Sequence, residues 1–147
     1  SAGHGSPNQW GLIGFEANRI EPFKRPLSSM SPTFMIGEER RAVIGTPGGS
    51  RIITMVLLGI LDFRRGNEPV SWVSLPRFHH QYMPDEISAD PGAFTAEQIE
   101  GLEALGHKVN VRNRTWGNMH GVLWNLETGE VTAGSDPRWP SGRAIVR

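Results

Sequence analysis

A chain of 147 residues supplies one ordinary hydrophobic core and is too short for two comfortable domains. Fifteen basic residues balance fifteen acidic ones, so there is no net positive charge to draw the protein to nucleic acid or an anionic membrane, and neither partner is expected. The absence of cysteine excludes disulfides, thiolate metal ligands and a cysteine nucleophile within these residues, and leaves the compartment open.

Over residues 1–26 glycine and proline recur with little apolar periodicity, which predicts a long irregular arm. The arm opens Ser1-Ala2-Gly3-His4-Gly5, without the basic-then-apolar order of a signal peptide, so an export signal would have to lie elsewhere. Lys24-Arg25-Pro26-Leu27-Ser28-Ser29-Met30-Ser31-Pro32 then sets two adjacent hydroxyls in a proline-bounded turn beside basic residues. Such hydroxyls can donate to a carboxylate. They can equally bond their own backbone, the reading that local sequence alone favours.

Two short β-prone runs, Thr33-Phe34-Met35-Ile36 and Arg41-Ala42-Val43-Ile44, flank a Gly37-Glu38-Glu39 break and predict a hairpin. Gly45-Thr46-Pro47-Gly48-Gly49-Ser50 leads from it into an apolar run ending at Phe63, too long for a strand. That run falls well short of the roughly 20 residues needed to cross a bilayer, so it predicts a buried helix. The amides at such a helix start have no intrahelical acceptor and carry the positive end of the helix dipole, which suits an anion or a developing oxyanion. The glycine pair lets a ligand approach the main chain, although a plain connection would use the same residues.

A second helix is predicted over residues 68–74, closed by Leu75-Pro76. Next comes Pro76-Arg77-Phe78-His79-His80-Gln81. Its adjacent histidines would face opposite ways in a strand, and no HExxH-like spacing accompanies them, so they are read as structural and no metal is expected. His4, His107 and His120 are isolated and are read likewise. Polar turns are expected through Pro84-Asp85-Glu86. Thr95-Ala96-Glu97-Gln98 has the pattern of a capping box, with Ile99, Leu102 and Leu105 on one helical face and Gly106 as the stop. Lys108-Val109-Asn110-Val111-Arg112 alternates like a strand, and residues 121–126 and 130–133 predict a second hairpin about Glu127-Thr128-Gly129. The sum is an α+β unit without internal repeats whose edge strands need something further to pair with. A GxSxG serine and a P-loop are both absent, and the five tryptophans are dispersed, which fits packing better than a stacking platform for single-stranded nucleic acid.

The block Lys24-Arg25-Pro26-Leu27-Ser28-Ser29-Met30-Ser31-Pro32-Thr33, followed by Gly45-Thr46-Pro47-Gly48-Gly49-Ser50-Arg51-Ile52-Ile53-Thr54, resembles the γ-glutamyltranspeptidases. Pro76-Arg77-Phe78-His79-His80-Gln81, Met83-Pro84-Asp85-Glu86, Gly106-His107-Lys108-Val109 and Gly134-Ser135-Asp136-Pro137-Arg138 extend the likeness along nearly the whole chain. The resemblance implies the αββα sandwich of an N-terminal-nucleophile hydrolase, shared by a large and a small subunit cut from one self-processing precursor. This chain would be the C-terminal part of the small, catalytic subunit, with residues 1–23 as a lid-like arm and 24–147 as an α/β body.

The implied activity is transfer of the γ-glutamyl group of glutathione-like donors to water, amino acids or peptides. It needs no cofactor and uses a new N-terminal threonine whose own α-amine helps as base. By the resemblance, Ser28 and Ser29 would hold the α-carboxylate of the γ-glutamyl group, and the amides of Gly48 and Gly49 would stabilise the oxyanion. Trp10 would stand in the lid loop where a tyrosine is frequent; an indole shields a pocket but supplies no phenol oxygen. The family's threonine-led segment and the acidic pair that takes the substrate α-amine are not among these residues. The chain alone is therefore expected to be inactive, with the large subunit and the rest of the small subunit as partners and a periplasmic or secreted location. The alternatives are a cephalosporin or glutaryl acylase on the same scaffold, or a non-catalytic fragment without the nucleophile.

Overall fold

The computed structural model describes residues 7–9, 12–113, 116–140 and 142–146. Alternation decides the first hairpin: β1 (Thr33–Ile36) and β2 (Arg40–Gly45) pair antiparallel, with Met35, Ala42 and Ile44 turned inward and Phe34, Ile36 and Val43 outward. The later hairpin also forms, as β6 (His120–Asn125) and β7 (Val131–Ser135). β6 pairs with β2, giving one antiparallel four-stranded sheet in the order β1-β2-β6-β7.

The inner face of this sheet is covered by α1 (Ile52–Arg64) and α2 (Pro69–Ser74). Met35, Ala42, Ile44 and Leu123 from the strands meet Ile52, Met55, Val56, Trp72 and Val73 from the helices, and Met119 completes the core. Helix α1 departs from the fully buried helix expected. It buries Ile52, Met55, Val56, Gly59 and Asp62, whereas Ile53, Leu57 and Leu61 are 62%, 50% and 42% exposed. The run is apolar all round, so its periodicity does not mark a wet face, and a single sheet covers only one side of a helix. Asp62 accepts hydrogen bonds from Asn67 Nδ2 at 2.7 Å and Ser71 Oγ at 2.6 Å, which ties α1 to α2.

A second, three-stranded sheet contains the strand predicted at residues 108–112 and also runs through Asp85 and Glu86, where polar turns were expected. β3 (Phe78–Tyr82) runs antiparallel to β4 (Asp85–Ala89), and β5 (Val109–Val111) joins β4 in parallel. Buried positions here mix the polar His79, Glu86 and Ser88 with the apolar Ile87 and Ala89, so a clean apolar alternation does not announce these strands. Between β4 and β5 runs α3 (Ala96–Ala104), whose capping box forms as expected. The Gln98 N–H donates to Thr95 Oγ1 at 3.2 Å and the Thr95 N–H donates to Gln98 Oε1 at 2.8 Å. Ile99 and Leu102 are half-buried, but Leu105 is exposed. The described part of the arm is irregular apart from a bridge between Pro7 and Ile13 and one 3₁₀ turn (Glu16–Asn18).

Candidate active site

Two turns, one leading into β1 and one leaving β2, face a common cavity of about 480 Å³. Ser28 and Ser29 line it from the first turn, and Pro47, Gly48 and Gly49 from the second. Asn8, Leu12 and Gly14 of the arm line it as well, with Arg25, Arg19 and the ion-paired Lys24 and Glu21. Trp10, the expected lid residue, lies outside the described residues.

In the first turn Ser28 bonds the local backbone and the Ser29 carbonyl is held by a neighbouring hydroxyl. Ser28 Oγ accepts from the Met30 N–H at 3.2 Å, which is the local bonding expected of a turn serine. A hydroxyl that accepts still has its own hydrogen to donate. Ser31 Oγ donates to the Ser29 carbonyl at 3.1 Å and Thr33 Oγ1 to the Ser31 carbonyl at 3.0 Å, so neighbouring hydroxyls hold the backbone that presents the pair.

The second turn is fixed by the buried Thr46. Its hydroxyl donates to the Pro47 carbonyl at 2.9 Å and accepts from the Asn118 N–H at 3.1 Å. Gly48 has φ 150°, a conformation side chains disfavour, and a Cβ there would lie 2.6 Å from Met55 Cε. The backbone conformation favours glycine there, and any side chain would also have to displace the terminal methyl of Met55. Gly49 opens a 3₁₀ turn (Gly49–Arg51) that runs directly into α1, with the Arg51 N–H donating to the Gly48 carbonyl at 3.3 Å. The helix start predicted from sequence thus begins as a tighter turn whose leading amides have no intrahelical acceptor.

The neighbouring strand β3 braces this helix start. Ser50 Oγ donates to Gln81 Oε1 at 2.7 Å, and His79 bridges Thr54 Oγ1 at 2.8 Å and Gln81 Oε1 at 2.9 Å. The Gln81 oxygen only accepts, so His79 Nε2 carries the proton and Nδ1 accepts from Thr54. Burial pushes the His79 imidazole below its ordinary range; the Gln81 hydrogen bond opposes the shift, and the neighbouring Arg51 reinforces it. His80 faces the other way and pairs with Asp85 at 2.9 Å, so the adjacent histidines separate to opposite faces of the strand.

Beneath the site lies a buried ion pair. Arg77 Nη2 donates to Asp136 Oδ2 at 2.5 Å and to the Val73 carbonyl at 3.1 Å, while Nη1 donates to the Trp116 carbonyl at 2.5 Å. Asp136 also accepts from the backbone N–H groups of Met119 at 3.1 Å and Arg138 at 3.0 Å. Burial raises the Asp136 pKa, but the Arg77 hydrogen bond and these two amides outweigh it and hold the carboxyl below the usual range.

A family model described as Gamma-glutamyltranspeptidase matches residues 2–146. The chain belongs to this family. It is 41% identical over 140 residues to the glutathione hydrolase proenzyme of Escherichia coli strain K12, covering 94% of this chain and 24% of that protein. It thus spans about a quarter of the length of this curated relative. The crystal structure of an acivicin-inhibited γ-glutamyltranspeptidase superposes with a TM-score of 0.85 at 36% identity, over 95% of this chain and 76% of that one. A cephalosporin acylase from Bacillus halodurans matches at TM-score 0.58 and 20% identity, over 65% of this chain and 18% of that one, a likeness of fold alone.

With its mixed sheets and helices, this γ-glutamyltranspeptidase chain has the N-terminal-nucleophile hydrolase fold expected from its motifs. The serine pair and the glycine pair, named from sequence, meet at one cavity. Sequence reasoning missed the Arg77–Asp136 pair. Both residues stood in recognised motifs, but nothing local says that two charges so far apart in sequence meet in the core. Thr46 and Met55, which shape the glycine turn, were missed for the same reason.

Proposed function

We propose that this chain is the substrate-binding and oxyanion-stabilising part of a γ-glutamyltransferase that takes the γ-glutamyl group from glutathione-like donors and passes it to water, an amino acid or a peptide. The observation that carries the reading is the shared cavity: hydroxyl donors at Ser28 and Ser29 and the glycine turn at Gly48 and Gly49 line one space. The α-carboxylate of the donor is held by the two serine hydroxyls. Its γ-carbonyl then meets the nucleophile, the N-terminal threonine of the remainder of the small subunit. The threonine oxygen bonds to the carbonyl carbon of the γ-amide, its proton passes to the leaving amine, and the Gly48 and Gly49 amides take the negative charge on the tetrahedral oxygen. Collapse breaks the C–N bond, and water or an amine later attacks the ester. The arm closes over the cavity as a lid.

The remainder of the precursor, including a large subunit, covers the outer face of the four-stranded sheet. Phe34, Ile36, Val43, Val122 and Trp124 stand exposed together on that face, an apolar surface suited to a second sheet. The name proenzyme carried by relatives supports self-cleavage of a zymogen, and family membership supports a periplasmic or secreted location. Without the threonine the chain alone is inactive.

A glutaryl group carries the same carboxylate and lacks only the α-ammonium, so the serine pair by itself does not separate the acylase reading. Paired turnover of a γ-glutamyl and a glutaryl amide does: the γ-glutamyl amide is expected to be strongly preferred. In the full-length, matured protein, Ser28→Ala with Ser29→Ala is expected to raise KM for a γ-glutamyl donor by about 100-fold or more, since each of the two hydrogen bonds to a charged group contributes on the order of 1.5–3 kcal/mol. An unchanged KM would remove the carboxylate role.

A further inference from the structure

Gly48 and Gly117 come from distant segments, both have left-handed backbones (φ 150° and 76°), and both press on the same side chain. A Cβ on Gly48 would lie 2.6 Å from Met55 Cε, and a Cβ on Gly117 would lie 2.5 Å from Met55 Sδ and 3.0 Å from Cε. Met55 itself is 1% exposed. Its thioether therefore fills a slot between the glycine turn on one side and residues 116–119 on the other.

The far wall of that slot is rigid. Arg77 Nη1, which donates to the Trp116 carbonyl, would be 2.9 Å from a Cβ on Gly117, and the same guanidinium is anchored on the buried Asp136. A second tie, from the Asn118 N–H to Thr46 Oγ1, spans the two walls at 3.1 Å. The hydrogen bond pulls the walls together and the methionine props them apart.

We propose that Met55 is a positioning residue for the reaction: its thioether sets the spacing between the glycine turn and residues 116–119, and so the direction in which the Gly48 and Gly49 amides point. The proposal rests on the oxyanion reading of those glycines. An oxyanion donor acts only when it lies about 2.7–3.1 Å from the developing charge, so a shift of the turn by a few tenths of an ångström lowers turnover. Ground-state binding through the serine pair is left alone, and the effect falls on kcat and not on KM. Methionine suits the slot because it is unbranched and ends in a single methyl. Leucine has similar volume, but it ends at Cδ and has no atom to replace the Cε that lies against Gly48.

The test is made on the full-length precursor and its mature product. For Met55→Leu, kcat for a γ-glutamyl anilide per mature enzyme is expected to fall about 10-fold, by analogy with other small displacements of catalytic groups, with KM within about two-fold of wild type. The core control Val73→Ala lowers the melting temperature and leaves both constants unchanged. Backbone amide exchange in the peptide covering residues 46–51 rises in Met55→Leu, a readout available even if the variant does not mature. Wild-type kcat, a kcat loss matched by Val73→Ala, a rise in KM alone, or unchanged amide exchange would each overturn the proposal. If instead Gly48→Ala keeps full turnover, the oxyanion reading itself fails, and that result is distinct from any of the Met55 outcomes.

Discussion

Asp136 shows what a single buried charge does in this protein. It is 1% exposed and takes hydrogen bonds from Arg77, Met119 and Arg138. Replacing it by asparagine leaves the 2%-exposed Arg77 without its counter-charge in the core, which is expected to cost about 3–5 kcal/mol in the melting or denaturant transition. Replacing both Arg77 and Asp136 by apolar residues of similar volume costs less than the single change, because no uncompensated charge remains. Acid acts on the same residue with a definite sign. Its folded-state pKa is lowered, so its contribution is fully present above the ordinary carboxylate range and is lost as pH falls through the depressed value. The buried His79 adds a second loss at milder acidity. Its pKa is lowered too, so the unfolded chain binds a proton first, and stability declines as pH drops below about 6.5. A pH series of melting curves in which stability rises on acidification through this range would contradict both assignments.

Among the elements, α3 is held by its ends more than by its packing. None of its residues is buried, and the reciprocal pair of Thr95 and Gln98 satisfies its first amides. Thr95→Ala is expected to cost about 1 kcal/mol, read as a lower denaturant midpoint with unchanged slope; no change would mean that the cap does not support the helix. This element was legible from sequence because a capping box is a signal only a few residues wide. The hairpins β1–β2 and β6–β7 were legible because one face of their sheet is apolar and alternation records it. Strands β3 and β4 were not, because the polar His79, Glu86 and Ser88 are buried among the apolar Ile87 and Ala89, with partners supplied from elsewhere: Thr54 and Gln81 for His79, Lys108 and Arg112 for Glu86. The exposure of one side of α1 was hidden for the opposite reason, since its sequence is apolar on every side.

Over the whole molecule, two short motifs recognised separately in the sequence line a single cavity, and the fold accounts for this. The turn before β1 and the turn after β2 sit at the same end of one hairpin, because Thr33 pairs with Ile44 across it. The site is thus carried by the register of two strands and by the packing of α1 beneath the second turn. What remained illegible is the scaffold under it, the slot around Met55 and the Arg77–Asp136 pair, because these contacts join segments far apart in the chain. The outer face of the four-stranded sheet and one flank of α1 carry exposed apolar side chains. The central claim, that one cavity holds both ends of a γ-glutamyl group, is tested most directly by a crystal structure of the mature full-length protein trapped with a γ-glutamyl group on its nucleophile. The account predicts the α-carboxylate within hydrogen-bonding distance of Ser28 and Ser29 Oγ, and the carbonyl oxygen about 2.7–3.1 Å from the Gly48 and Gly49 amide nitrogens. An adduct whose carboxylate lies away from the serine pair, or whose carbonyl oxygen points away from the glycine turn, would contradict it.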